Sequence, residues 1–332
     1  MKENQKIFIT GGAGYVGSKL VPKLLNLNFQ VTVLDLMIYG EDVLTSHKNL
    51  RCVKGDIRDL RLLEKYIPGH DTVIHLACIS NDPSFLLNEN LSKEINYDSF
   101  KDFLKIINNT SLNKLIFAST SSVYGVSEEE DITEDYPKKP ITLYNRYKYE
   151  CEKLIVDQKN SFKSCIIRPA TVCGLSSKMR FDLTVNILTN FAYFKKEIKV
   201  FGGRQKRPNI HINDMINLYI SLIDMKFDTF DKQAFNAGVE NLSIDTIAKK
   251  VQKIMLDKKQ LNVDIKYEKT DDIRSYHVNS DKIQKILKFK FEKNVDDAIN
   301  DLIDYFDRVK PSDTFGNLNY FNAKKLLHTK FT

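Results

Sequence analysis

Cysteine is scarce in this chain and forms no recognisable pattern. The 332 residues include five cysteines, Cys52, Cys78, Cys151, Cys165 and Cys173, an odd number with no CxxC pair. That usage argues against a disulfide framework, and no metal is expected. The thiols, most of them in predicted strands, are expected to lie buried in a reducing cytoplasm. No apolar run approaches the ~20 residues that cross a bilayer, so no membrane partner is expected. The first strand opens at Lys6, leaving no room for a signal peptide, and the cytoplasm is the expected location. Long basic runs are missing too. The 50 Lys and Arg are interspersed with 43 Asp and Glu, so the net charge of +7 points to no nucleic-acid partner. The surplus suits an anionic small substrate. There is no internal repeat and no low-complexity linker.

What is present is an ordinary globular composition, 42% hydrophobic and 28% charged, long enough for one large or two modest domains. Short apolar strands alternate with amphipathic helices through the first third. Strands are expected at Ile7–Thr10, Val31–Asp35, Arg51–Lys54, Thr72–Ala77, Lys114–Ser119 and Ser164–Pro169, with helices at Tyr15–Leu27 and Leu91–Ile107. Alternation of this kind implies parallel pairing through right-handed crossovers. The fold class is α/β, a Rossmann-type doubly wound parallel sheet.

The first strand runs directly into Gly11-Gly12-Ala13-Gly14-Tyr15-Val16-Gly17 and then a helix. Gly11 permits a tight turn, Gly14 lets the main chain approach a pyrophosphate, and Gly17 lets the helix pack on the strand. The helix N-terminus then offers N–H groups and positive dipole to phosphates. Asp35 closes the second strand about 20 residues past the turn, where an acid accepts hydrogen bonds from ribose hydroxyls and would repel a 2′-phosphate, favouring NAD over NADP.

Beyond the fifth strand come Phe117-Ala118-Ser119-Thr120-Ser121-Ser122 and, on a predicted helix, Tyr144-Asn145-Arg146-Tyr147-Lys148. A YxxxK spacing puts Tyr144 and Lys148 on one helical face. A free phenol is a poor base at neutral pH, with a pKa of ~10, but a neighbouring ammonium stabilises its phenolate. Tyr144 can then accept a proton from a sugar hydroxyl, Lys148 lower its pKa and hold the nicotinamide ribose, and Thr120 hydrogen-bond the reacting oxygen.

Together these motifs resemble the extended short-chain dehydrogenase/reductase superfamily of NAD-dependent nucleotide-sugar epimerases, dehydratases and dehydrogenases, over nearly the whole chain. The resemblance implies catalysis by Thr120, Tyr144 and Lys148. It implies cofactor contacts from Gly11, Gly14, Tyr15, Val16, Gly17, Asp35, Leu76, Ala77, Tyr144 and Lys148, with Asp56 and Ile57 at the adenine. Substrate contacts are expected from Ser121, Thr171, Arg180, Asn186, Arg207 and Arg274, the last two as candidate diphosphate ligands. The run around Arg180 and Asn186 is similar to one in bacterial surface-polysaccharide enzymes, including GDP-heptose 4-dehydrogenases. The 4,6-dehydratases usually carry acid after the threonine, where Ser121 and Ser122 stand here.

The expected organisation is an NAD-binding domain over residues 1–178, with 200–242 returning to it. A smaller, discontinuous α/β substrate domain is expected over 179–199 and 243–332. The expected activity is oxidation at C4 of a GDP- or UDP-linked sugar, by a 4-epimerase or 4-dehydrogenase of surface-polysaccharide synthesis. A 4,6-dehydratase or decarboxylase is the alternative, and a non-catalytic NAD-binding regulator is a further one. The resemblance also implies a homodimer.

Overall fold

The computed structural model describes residues 5–270 and 275–331. Twelve strands follow in chain order: β1 (Lys6–Thr10), β2 (Gln30–Asp35), β3 (Leu50–Lys54), β4 (Thr72–His75), β5 (Lys114–Ala118) and β6 (Lys163–Pro169). After these come β7 (Thr171–Cys173), β8 (Glu197–Phe201), β9 (Lys206–His211), β10 (Gln233–Ala237), β11 (Glu240–Ser243) and β12 (Asp264–Glu268).

Seven strands form one sheet in the order β10-β6-β5-β4-β1-β2-β3, all paired in parallel as the alternating pattern predicts. Period-2 alternation sends side chains of each strand to both faces. In β1, Ile7 and Ile9 join Leu20, Leu24, Leu218 and Leu222 in one core, while Phe8 joins Leu63, Phe100, Phe103 and Phe117 in the other. The chain builds β1 to β3 outward in one direction and then crosses back to β4. The order therefore reverses between β1 and β4, and the crevice for ligands opens beyond their carboxyl ends. Thr10 and His75 meet there, Thr10 Oγ1 lying 3.1 Å from His75 Nδ1. Burial among Phe100, Phe103 and Phe117 pushes His75 down to about 3, so it is a packed, neutral histidine.

The expected helix over Leu91–Ile107 begins earlier, at Glu89, and is interrupted by a π-helical turn at Glu94–Asp98. Asn96 sits in that turn and grips the loop after β4, accepting from the Ile79 N–H at 2.8 Å and donating to the Ile79 carbonyl at 2.9 Å. Such turns often mark functional sites, and this one fixes a loop that lines the crevice.

Strands β11, β9 and β7 form a second sheet, and β12 pairs with β8 in a third. A separate core of Val185, Leu188, Ile198, Val200, Ile247, Val251 and Ile299 lies beneath the helices Thr184–Lys195, Ile244–Lys259 and Val295–Val309. Not all cysteines are buried: Cys52 is exposed on the edge strand β3 and Cys78 is partly exposed, while Cys151, Cys165 and Cys173 are buried.

Candidate active site

A single cavity of about 410 Å³ runs along the carboxyl edge of the sheet, a size suited to small-molecule ligands. Its floor is the glycine turn. Gly11 has φ +74°, and a Cβ there would lie 2.6 Å from the Ala77 nitrogen, so only glycine fits between β1 and the loop after β4. Gly17 is just as confined, though by the turn and not by the strand: a Cβ would come within 2.4 Å of the Gly12 carbonyl oxygen. Gly14, Tyr15 and Val16 also line the cavity, as do Leu76 and Ala77.

Asp35 stands at the end of β2. Its two oxygens accept from the N–H groups of Ala13 at 2.9 Å and Met37 at 2.8 Å, which ties the strand end to the turn. Burial nonetheless holds its carboxyl above the usual carboxylate range, the backbone N–H groups pulling the other way. The cradle only glycine can fill, the opening of the helix Gly17–Asn26 and the acid at the strand end fit a dinucleotide.

The adenine pair separates. Ile57 lines the cavity but Asp56 does not; its carboxylate is taken by Arg58, through the backbone N–H at 2.8 Å, Nε at 3.0 Å and a terminal nitrogen at 2.7 Å. The two-residue spacing permits that local pairing, and the carboxylate expected at the adenine is shared with Arg58.

The residues expected to react share the cavity. Thr120, Ser121, Tyr144 and Lys148 all line the cavity. Thr120 Oγ1 accepts from the Ser122 N–H at 3.1 Å, which leaves its hydroxyl proton available, and Ser122 Oγ lies 2.8 Å from the Tyr276 hydroxyl. The helix Leu143–Asp157 starts at Thr142, whose Oγ1 accepts from the Asn145 N–H at 3.3 Å and donates to Asp82 Oδ1 at 2.6 Å. This fixes the turn bearing Tyr144. Lys148 is buried; its Nζ donates to the Ala118 carbonyl at 2.7 Å and lies 5.1 Å from the Phe117 ring centroid.

The sequence predicts that Lys148 lowers the Tyr144 phenol. The structure differs: burial first, then the charges of Cys78 and Asp82, hold that phenol well above its usual range, and the cation opposing them is Arg180. Lys148 is engaged at the end of β5 instead.

On the substrate side, Thr171, Arg180 and Arg207 line the cavity. Arg180 is held by a two-pronged ion pair to Asp182, at 2.9 and 3.2 Å. Asn186 does not reach the cavity, which corrects the expectation of a substrate contact. It is wholly buried, its Oδ1 accepting from Gly174 N–H at 2.9 Å while Nδ2 donates to the Arg180 carbonyl at 2.9 Å and the Tyr15 hydroxyl at 3.2 Å. Arg274 lies outside the described residues. Tyr39, Lys178, Tyr276 and Asn322 also line the wall. None carries a signal in the local sequence, because each reaches the site through tertiary contact. Among the described residues no group of three or more potential metal ligands gathers, and no helix is long and apolar enough to cross a membrane.

The fold and this site define an NAD-dependent enzyme built on a doubly wound sheet. The model of the NAD dependent epimerase/dehydratase family matches residues 7–238, and the chain belongs to that family. It is 28% identical over 322 residues to a UDP-glucose 4-epimerase of Lactobacillus helveticus, covering 89% of this chain and 94% of the relative. It is 24% identical over 322 residues to UDP-glucuronic acid decarboxylase 1 of Danio rerio, covering 92% of this chain and 74% of that protein. Among solved structures, UDP-glucuronic acid 4-epimerase from Bacillus cereus, in complex with UDP-glucuronic acid and NAD, superposes with a TM-score of 0.81 at 24% identity. It covers 92% of this chain and 100% of that one.

Proposed function

We propose that this protein is a nucleotide-sugar 4-epimerase, oxidising C4 of a UDP- or GDP-linked sugar and reducing it again. The observation that carries the reading is that Thr120, Tyr144 and Lys148 all line the cavity that the Gly11–Gly17 turn also lines. The curated relative named a UDP-glucose 4-epimerase, aligned along 94% of its length, supports the same chemistry.

NAD bound on the glycine turn supplies an acceptor for the hydrogen and electron pair of the C4 bond. Gly11, Gly14, Gly17 and Asp35 would hold it. The chain's own groups handle the proton. Tyr144 keeps part of its surface open to the cavity, and its hydroxyl has no hydrogen-bond partner among the described residues. Once it has lost its own proton, its oxygen takes that of the C4 hydroxyl. Thr120 donates to the same oxygen, and Lys148, bonded to the Ala118 carbonyl, holds the helix that carries Tyr144 in place. Arg180 and Arg207 give the substrate half cations suited to a diphosphate.

The decarboxylating relative supports a second reading with the same first step. Ser121 and Ser122, where acid would assist elimination, favour the epimerase. The test is to offer the NAD-loaded protein a panel of UDP- and GDP-sugars and analyse the sugar by nuclear magnetic resonance. Interconversion of C4 epimers at constant mass is expected; loss of water or carbon dioxide overturns the epimerase reading.

A further inference from the structure

The C-terminal tail brings Asn322 into the cavity wall and uses three of its groups there. Its backbone N–H donates to Asp182 Oδ2 at 3.0 Å, its Nδ2 donates to Ser80 Oγ at 2.9 Å, and its Oδ1 accepts from Lys178 Nζ at 2.5 Å. Lys178 is 3% exposed, and its Nζ lies 3.8 Å from the centroid of the Tyr39 ring. Asn322 Oδ1 is its one hydrogen-bond acceptor among the described residues, although even an uncharged amine carries two protons and a charged one three. Asp182 is committed to the fork of Arg180.

A buried amine with unspent donors on the wall of a ligand cavity is matched to an anion. Its neighbours say which one. The Lys178 N–H donates to Ser18 Oγ at 3.0 Å, in the helix that follows the glycine turn, and Tyr39 stands four residues beyond Asp35. Both belong to the dinucleotide side of the site. We propose that Lys178 contacts the diphosphate of the bound dinucleotide and that Asn322, reaching in from the C-terminal tail, positions it.

The proposal rests on NAD occupying this cavity, and it carries a proton with it. The charged groups that face Lys178 are Arg180, which repels it, and Asp182, which pulls the other way; burial is the larger effect and pushes the amine down to about 6. Tyr39 beneath it stays neutral, its phenol held above the usual range by burial. At neutral pH the amine is therefore mostly uncharged, and an arriving diphosphate draws a proton onto it. Affinity for NAD should accordingly fall as pH rises above neutrality.

Calorimetric titration of NAD into the full chain, in two buffers of different ionisation enthalpy, reads that proton directly. Uptake of about one proton at neutral pH is expected for the wild type, and none for Lys178→Met. Lys178→Met should bind NAD about 10- to 100-fold more weakly, the loss of one charge-assisted hydrogen bond. Asn322→Ala should weaken it less while keeping the uptake. UDP titrated onto the NAD-loaded protein should stay within about twofold of the wild type for Lys178→Met, below the loss of a single hydrogen bond. Wild-type binding with no proton uptake overturns the proposal without any variant. So does NAD affinity unchanged in Lys178→Met, or a loss confined to UDP, which assigns the amine to the substrate's diphosphate. Failure of the wild type to bind NAD at all overturns the cofactor assignment as well.

Discussion

Lys148 Nζ donates a 2.7 Å hydrogen bond to the Ala118 carbonyl oxygen, pinning the helix that carries Tyr144 to the end of the strand that delivers Thr120. The proton acceptor we propose and the strand end that leads to Thr120 are thereby tied together. Tyr144→Phe should lower turnover by about 10²- to 10⁴-fold, the usual weight of a positioned acid or base, and leave NAD affinity nearly unchanged. Because burial raises the Tyr144 phenol, it is protonated at neutral pH and turnover should climb with pH. Arg180→Met removes the cation that opposes this shift and should move the rising limb to still higher pH. Steady-state rates from acid to alkaline buffer check both.

Gly11 leaves no room for a side chain. Gly11→Ala would force a Cβ to within 2.6 Å of the Ala77 nitrogen at a φ of +74°. Strain of that kind costs about 1–3 kcal/mol, and it bears on the two segments that meet at the cofactor. A lower melting temperature together with weakened NAD binding is expected; calorimetry reads both.

The Tyr144 helix is also tied to β6 by a buried ion pair. Arg168 meets Glu152 at 2.6 Å, both side chains under 5% exposed, with Ser119 Oγ on the same carboxylate and the Tyr124 hydroxyl 2.7 Å from the guanidinium. Removing one partner strands a buried charge. Arg168→Met should cost about 3–5 kcal/mol in urea unfolding. The double replacement with Glu152→Leu should cost less than the sum of the two single changes.

Asn186 is a structural brace, and its replacement separates that role from substrate contact. Asn186→Ala leaves the Gly174 N–H and the Arg180 carbonyl without their partner, at a cost of about 1–3 kcal/mol for each group so stranded. The variant should melt earlier, while the Michaelis constant moves much less than it does for Arg207→Met. A raised Michaelis constant at unchanged stability would restore Asn186 to the substrate site.

The parts of this molecule that depend on local rules were legible in the chain. A strand, a glycine turn and a helix must follow one another in sequence to make the cradle, so Gly11, Gly14 and Gly17 announce it, and Asp35 follows at a distance set by one helix and one strand. YxxxK is legible for the same reason, since one helical turn spans it. Asn186 misled because its neighbours satisfy it: Gly174 and Arg180 enclose it. Lys178, Tyr39 and Asn322 stayed silent for the opposite reason. Their 144- and 139-residue separations are closed only by packing of the tail and the loop after β2, and nothing local marks either contact.

Deuterium placed at C4 of a nucleotide sugar follows the hydrogen that must move if C4 is oxidised with Tyr144 taking the proton. The label should leave C4 for the cofactor and return to C4 with inverted configuration, and Tyr144→Phe should stop its movement. Inversion with the label never leaving C4, or undiminished movement in Tyr144→Phe, would contradict the account.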